Sequence, residues 1–408
     1  MDTAAEAPVE GAPDVVVIGA GYTGLSTALF AAEGGLSVHV LEAQCVGYGG
    51  SGRNVGLVNA GLWVPPDKLL DTLGPKVGPR FLELFGKGPQ AVFDLIEKHQ
   101  IRCEARREGS IHAAHSPAGL RDLQGRHVAW QRLGAPVDLL TREETAERTG
   151  TDFYHGGLLD RRAGKLNPMG YARGLARAAR GAGARISTGV PVTGLNRHGD
   201  IWRVQTGQGV LETPQVVMAT NAYGGTLWPA MQRAFSTIHF FQLATEPLGA
   251  ATEAVMPGGQ GLWDTAPVMT SLTRDAAGRV IIGSMGRMIG TPDSGVSARW
   301  ARRRLARLFP DLGDVHFVEG WDGKIAMTPD HMPRICQLAD GLWTPMGYNG
   351  RGITTGTLFG RALAEVLAGA PHDHLPLPVT SLPRLTAPGL QSRFYDLAFT
   401  ANQVMRGF

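Results

Sequence analysis

The stretch Val15-Val16-Val17-Ile18-Gly19-Ala20-Gly21-Tyr22-Thr23-Gly24-Leu25 decides the fold. Its first four residues are wholly apolar and β-branched, which suits a parallel strand buried on both faces. A glycine turn follows at once, and then Leu25, Ala28, Leu29 and Ala32 recur at helical spacing. Gly34-Gly35 ends that helix and Ser37 to Leu41 makes the next strand, so residues 14–42 form one βαβ unit. In G-x-G-x-x-G the first glycine permits the tight turn, the second lets the backbone approach a pyrophosphate, and the third lets helix and strand pack closely. The helix N-terminus adds positive potential for the phosphates. Gly19, Gly21 and Gly24 fill those places, and Glu42 closes the second strand, where a carboxylate can accept both ribose hydroxyls and repel a 2′-phosphate. Strand, turn, helix and acid together read as a dinucleotide site and leave NAD and FAD open.

The segment after Glu42 separates the two. Gly47-Tyr48-Gly49-Gly50-Ser51-Gly52-Arg53-Asn54 offers small residues, a hydroxyl, a guanidinium and an amide to the second half of a pyrophosphate, which a nicotinamide enzyme does not need. Towards the C-terminus, Gly347-Tyr348-Asn349-Gly350-Arg351-Gly352-Ile353-Thr354 precedes the last long apolar helix. Glycines there let backbone N–H groups approach a flat ring. A helix N-terminus aimed at the flavin C2 carbonyl would stabilise the negative charge that reduction places at N1 and O2. The plainer reading is a loop whose glycines only turn the chain.

On these residues the chain resembles the FAD-dependent amine and amino-acid oxidases of the D-amino-acid oxidase/glycine oxidase superfamily. Within it the chain is similar to the branch that includes gamma-glutamylputrescine oxidase, through Ser51-Gly52-Arg53-Asn54 and Tyr348-Asn349-Gly350-Arg351-Gly352. The similarity runs over Val15 to Leu57, Gly164 to Gly224 and Trp321 to Gly369. It implies non-covalent FAD lined by Gly19, Gly21, Tyr22, Thr23, Glu42, Ala43, Ser51, Arg53, Asn54, Gly56 and Leu57, with Gly24 and Gly50 in the same turns. It also implies that Val190 meets the adenine through its backbone, that Thr220 lies beside the ribityl chain, and that Gly347, Gly350, Arg351, Gly352, Ile353 and Thr354 serve the flavin end. Cys45 falls near the ribose and pyrophosphate, too far from the isoalloxazine for a covalent link. The G-D-A-A-H stretch of the aromatic hydroxylases is absent. Thr354 stands where the sarcosine-oxidase branch has a carboxylate-binding lysine, which shifts the expected substrate towards an amine, or an amino acid held elsewhere.

The fold expected is α/β (α+β overall), a Rossmann-like FAD-binding domain with an inserted substrate domain on a mostly antiparallel sheet with helices. At 408 residues two lobes are expected. Residues 1–75, 150–228 and 335–385 are assigned to the FAD-binding domain, 76–149 and 229–334 to the substrate-binding domain, and 386–408 to a C-terminal extension. Asn167-Pro168 reads as an N-cap with proline at the first helical position, and Thr141-x-x-Glu144 as a capping box.

The reaction implied by the resemblance is hydride transfer from the carbon next to nitrogen onto flavin N5, then imine hydrolysis and reoxidation by O2 to H2O2. A dehydrogenase passing electrons to a quinone or other acceptor, and a flavin-carrying subunit without turnover of its own, are the alternatives. Because the cofactor carries the redox chemistry, no acid–base dyad is required. Candidate catalytic residues are His239, Lys324, Tyr348 and Arg274. Their bland readings are a core histidine, a solvated or salt-bridged lysine, and residues that only support the loop and the sheet.

Composition narrows the remaining classes. A net charge of +3 with arginines dispersed, apart from Arg299 to Arg307, gives nucleic acid little to recognise. Cys45, Cys103 and Cys336 are odd in number and unpaired in spacing, which excludes a disulfide framework and a zinc ribbon and fits a reducing cytoplasm; no metal is expected. Met1 to Pro13 lacks a basic or apolar region and reads as a short mobile tail. No run approaches the roughly 20 apolar residues of a membrane span. A cytoplasmic monomer or small homo-oligomer acting on a small amine or amino acid is the expectation.

Overall fold

The computed structural model describes residues 9–407. A six-stranded sheet runs in the order Arg334–Ala339, Leu342–Met346, Gln215–Met218, Val15–Ile18, Val38–Leu41, Arg185–Ser187. Its pairings are parallel except for the antiparallel edge strand Arg334–Ala339. Val15–Ile18 sits between two partners and is buried throughout, so no residue of it faces water.

The helix Tyr22–Glu33 packs along the helix Gly352–Leu367, and glycines allow the close approach. A Cβ on Gly360 would lie 2.7 Å from the Ser26 Cβ, and one on Gly356 2.9 Å from the Thr23 Oγ1. The N-termini of the two helices therefore open on the same place. The helix Pro168–Gly181 packs on Tyr22–Glu33 as well, with Asn167 Oδ1 accepting from Gly170 N at 2.9 Å as its cap. Thr141 and Glu144 form the capping box on the helix Arg142–Thr149.

An antiparallel three-stranded sheet, Val192–His198, Ile201–Thr206 and Gly209–Thr213, lies against the six-stranded one. The expected mobile tail is corrected here. Residues 1–8 lie outside the described residues, but Val9 is buried with Trp202 and Leu211, and Gly11 accepts from Glu212 N. Val9 packs in the cluster between the three-stranded and six-stranded sheets, and burying it there holds the chain at residues 9–11.

The second large sheet has eight strands, in the order Phe317–Met327, Ser236–Thr245, Val280–Met285, Thr270–Arg274, Gly261–Asp264, Ser110–Ala113, Gly157–Asp160, Val137–Leu140. Only Gly261–Asp264 and Ser110–Ala113 pair in parallel. Gly157–Asp160 thus belongs to this sheet, although the sequence boundary at 150 places it in the other lobe. Its partners are distant strands that four residues of sequence do not announce. The C-terminal helix Pro388–Gly407 lies on the strand Ser236–Thr245 and the helix Val296–Leu308. Among the described residues no helix is long and apolar enough to cross a membrane, and no group of three His, Cys, Asp or Glu side chains is placed to hold a metal ion.

Candidate active site

The glycine turn is built as its sequence requires. Gly19 has φ +105°, and a Cβ on Gly24 would sit 2.0 Å from the Gly19 carbonyl oxygen. A Cβ on Gly21 would lie 2.9 Å from Ser51 Oγ, which accepts from Tyr22 N at 3.0 Å. The second glycine-rich loop is thereby fastened to the first. Glu42 accepts from Ala20 N at 2.8 Å and Gln44 N at 2.9 Å, which fixes its carboxylate at the end of the strand.

A cavity of about 910 Å³ starts there and runs between the two large sheets, near the top of the usual range of roughly 300–1,000 Å³ for ligand sites. Sixteen of the residues expected at the cofactor line it: Gly19, Gly21, Tyr22, Thr23, Glu42, Ala43, Gly50, Ser51, Asn54, Leu57, Val190, Thr220, Gly350, Arg351, Gly352 and Ile353. Gly24 is inside the turn, as helix packing demands. Arg53 is not among the lining residues: Nε donates to the Tyr48 carbonyl at 2.6 Å and Nη1 to the Asp322 carbonyl at 2.9 Å, so it ties the loop to the strand Phe317–Met327. Gly56 donates to Asn54 Oδ1 and leaves room for the Leu166 carbonyl, and Gly347 packs on Thr328. Thr354 is turned away, with Oγ1 donating to the Asn59 carbonyl at 2.9 Å and its methyl against Gly88. The absence of a lysine there therefore says little about what the cavity binds.

The loop 347–352 is held from three sides. Asn221 and Asn349 adopt the left-handed region at φ 43° and 50°. Asn221 Oδ1 accepts from Gly347 N at 3.2 Å, and Asn349 Oδ1 from Thr328 N at 2.8 Å. Tyr348 places its hydroxyl 2.7 Å from Thr23 Oγ1, and burial pushes the phenol far above its ordinary range. Tyr348, a catalytic candidate from the sequence, lines the cavity, and its hydroxyl joins the loop to the first helix. Among the described residues, Thr220 Oγ1, Gln242 Oε1 and Arg351 Nε on the cavity wall are left without a hydrogen-bond partner. The buried Thr220 hydroxyl fits a chain of ligand hydroxyls passing there. Paired glycine turns, a fixed carboxylate and an orphaned hydroxyl suit an extended FAD.

Beyond the loop the cavity is aromatic. The Arg351 guanidinium lies 4.6 Å from the ring centroids of both Trp63 and Trp263, and His112 stacks on Trp263 at 3.4 Å. Arg351 Nε has no hydrogen-bond partner among the described residues. Burial, and then the charge of Arg126, push this guanidinium below its usual range. Arg126 itself is engaged, with Nε on Asp122 at 2.8 Å and Nη1 on the Trp63 carbonyl at 3.0 Å. Burial, then Arg126 and Arg351, hold His112 well below its ordinary range, so its ring is neutral. Asp264 is fully buried, takes Arg304 Nη2 at 2.7 Å, and accepts from Ala266 N and Thr270 N, shaping the wall from Thr265 to Met269.

The other sequence candidates divide. Lys324 stays on the cavity wall, its Nζ 5.6 Å from the Tyr223 ring centroid and its backbone N–H donating to the Tyr223 hydroxyl. His239 does not: strand alternation sends Ile238, Phe240 and Gln242 to the cavity and His239 to the other face, 2.8 Å from Asp396 Oδ1. Arg274 lies outside, donating to the Thr252 carbonyl at 2.7 Å while its own carbonyl takes Lys165 Nζ. Trp63, His112, Arg126, Trp263, Tyr395 and Phe399 line the cavity and escaped the sequence reading. The one local cue, Gly-Leu-Trp, occurs at 61–63, 261–263 and 341–343, and its third tryptophan, Trp343, is in the core.

Comparison with known proteins agrees with this geometry. The FAD dependent oxidoreductase (DAO) family matches residues 14–366. The probable oxidoreductase OrdL of Rhizobium meliloti is 31% identical over 360 residues, 87% of this chain and 83% of its own length. The gamma-glutamylputrescine oxidoreductase of Escherichia coli is 30% identical over 400 residues, 94% of this chain and 92% of its own. The crystal structure of glycine oxidase from Geobacillus kaustophilus shares the fold, with a TM-score of 0.75 at 20% identity over 91% of this chain and 99% of that one. With its glycine turns, its fixed Glu42 and its flavin-end loop, the chain belongs to the FAD dependent oxidoreductase family and uses FAD as its cofactor.

Proposed function

We propose that this enzyme oxidises an amine that also carries an anionic group such as a carboxylate, at the carbon next to nitrogen. The observation that carries the reading is Arg351, a buried guanidinium in an aromatic slot of the cavity that forms no ion pair among the described residues, with Asp160 acting on it only at longer range. A buried charge without a counter-ion is costly, and an anionic substrate would offset that. The names of two similar proteins, an oxidoreductase of gamma-glutamylputrescine and an oxidase of glycine, support an amine or amino acid.

When bound, FAD supplies the hydride-accepting chemistry, and the protein supplies position and surroundings. In this reading Glu42 holds the ribose, the Gly19 to Thr23 turn with Ser51 the pyrophosphate, Thr220 the ribityl hydroxyls, and the loop 350–353 the flavin end. The six-stranded sheet and its helices form the cofactor lobe and the eight-stranded sheet the substrate lobe. Arg351 anchors the anion, Trp63 and Trp263 fix the plane of approach, and Ile238, Phe240 and Met285 keep water from the amine. Desolvation there favours the neutral amine whose lone pair the oxidation requires. Neutral His112 does not compete for the anion.

O2 is taken as the electron acceptor and H2O2 as its product, with Lys324 as the cation on the wall that would stabilise the developing oxygen anion. The test is anaerobic mixing of the FAD-loaded enzyme with amines that do and do not bear a carboxylate, followed by readmission of air. Bleaching of the yellow absorbance by carboxylated amines supports the reading, and failure of every amine to bleach it rejects the proposal. Fast reduction with sluggish recovery in air would replace O2 with a carrier acceptor.

A further inference from the structure

The family match ends at residue 366, and the helix Pro388–Gly407 lies beyond it. It is nevertheless built into the cavity. Its inner face is fastened along its length: Gln391 Oε1 accepts from Ser236 Oγ at 2.6 Å, Ser392 Oγ from Thr237 N at 2.8 Å, and Gln403 Oε1 from Ser297 Oγ at 2.8 Å. Midway, Asp396 takes His239 Nδ1 at 2.8 Å with one oxygen and Arg287 Nε at 3.0 Å with the other. These positions recur at helical spacing and so form one stripe.

Beside that stripe, Tyr395 and Phe399 reach the cavity, their rings 5.9 Å apart and 16° from parallel. The same cavity takes Met269, Met285, Ile238 and Phe240 from the sheet. A Cβ on Gly286 would lie 3.0 Å from the Phe399 Cβ, so the chain just past the strand Val280–Met285 packs closely against the base of that side chain. The chamber thus has two chemically distinct regions: the Arg351 slot between tryptophans, and a polarizable wall of methionine and aromatic side chains.

We propose that the C-terminal helix is a wall of the substrate cavity, with Tyr395 and Phe399 selecting amines that carry an apolar group away from their anionic end. Asp396, bonded to His239 and Arg287, is the positioning residue that sets the helix against the sheet. This rests on the amine reading above, and the experiment separates the two.

In FAD-loaded enzyme, quenching of flavin fluorescence by acrylamide is compared for wild type, Y395A, F399A, D396A and D396E, with L397A, on the outward face at 72% exposure, as control. The aromatic truncations and D396A are expected to raise the quenching constant at least twofold, D396E to restore it in part, and L397A to leave it unchanged. In parallel, kcat/KM is measured for carboxylated amines of increasing apolar tail. Loss of a packed apolar group shifts discrimination about tenfold or more, so Y395A and F399A should flatten the preference while F399L retains most of it. Unchanged quenching would overturn the wall, and an unchanged tail preference its selective role. If no amine reduces the wild-type flavin, the amine reading fails, while the quenching arm still decides whether the helix walls the cavity.

Discussion

The hydroxyl of Tyr348 lies 2.7 Å from Oγ1 of Thr23, so a residue of the flavin-end loop is bonded to the first turn of the helix that follows the glycine motif. Two stretches more than three hundred residues apart in sequence are held in one geometry by a single buried pair. A ligand lying across both would feel any change in it.

Tyr348→Phe therefore leaves Thr23 Oγ1 buried without its partner. Such a loss costs about 1–3 kcal/mol, and should appear as a lower denaturant midpoint and easier loss of FAD on dialysis. The rate of anaerobic flavin reduction by saturating amine should stay close to wild type. A general acid or base contributes about 10²–10⁴-fold, so a fall of that size would show Tyr348 to be a catalytic residue.

Arg351→Met tests the anion site. A hydrogen bond to a charged group is worth about 1.5–3 kcal/mol, which corresponds to a rise in KM of roughly 10- to 150-fold for carboxylated amines. Uncharged amines of similar size should be little affected, because methionine preserves packing between Trp63 and Trp263. Parallel rises for both classes would show that Arg351 acts on cavity shape and not on charge.

The glycine-turn end of the cavity was legible in the sequence because its needs are local. Gly19, Gly21, Gly24 and Glu42 follow one another along a strand, a turn and a strand, and backbone geometry leaves few residue types for those places. Arg53 and Thr354 show the limit of a motif: the residue types were read correctly, but Arg53 turns to backbone carbonyls and Thr354 to Asn59. The aromatic end of the cavity was not legible, since Trp63, Arg126, Trp263 and Phe399 come from four separate elements or loops and meet only through the pairing of the eight-stranded sheet and the docking of the last helix. His239 was misplaced by one strand face, because the preceding and following residues are equally apolar and alternation gives no signal.

Asp264 and Arg304 supply a test of that pairing. The Asp264 side chain has no exposed surface and the Arg304 side chain 11%, so Arg304→Met strands a buried carboxylate. Breaking such a pair on one side costs about 3–5 kcal/mol, and the wall from Thr265 to Met269 should loosen with it. The double variant D264N/R304M removes the uncompensated charge and should recover a large part of the loss in urea unfolding. Equal instability of single and double variants would mean that the backbone N–H bonds of Ala266 and Thr270 to Asp264, and not its charge, matter most.

His39 sets an acid limit on the six-stranded sheet. It is buried on the strand Val38–Leu41 with Nε2 2.8 Å from Ser187 Oγ, and burial, then the charge of Arg185, push its pKa down to about 4. The unfolded chain holds the ordinary value near 6.5, so between these values the unfolded state binds more protons than the folded one. The stability His39 provides is fully present above about pH 6.5 and is lost as the pH falls towards 4. His112, also held well below its ordinary range by burial, acts in the same direction. Urea midpoints at pH 7, 5.5 and 4.5, at equal FAD loading, should fall steeply for wild type. They should fall less for His39→Gln, which keeps a polar partner for Ser187 but cannot be charged, the difference amounting to about 1–3 kcal/mol over that window. Parallel curves for the two proteins would show that His39 takes up protons equally in the folded and unfolded chain, so that its pKa is not depressed by burial.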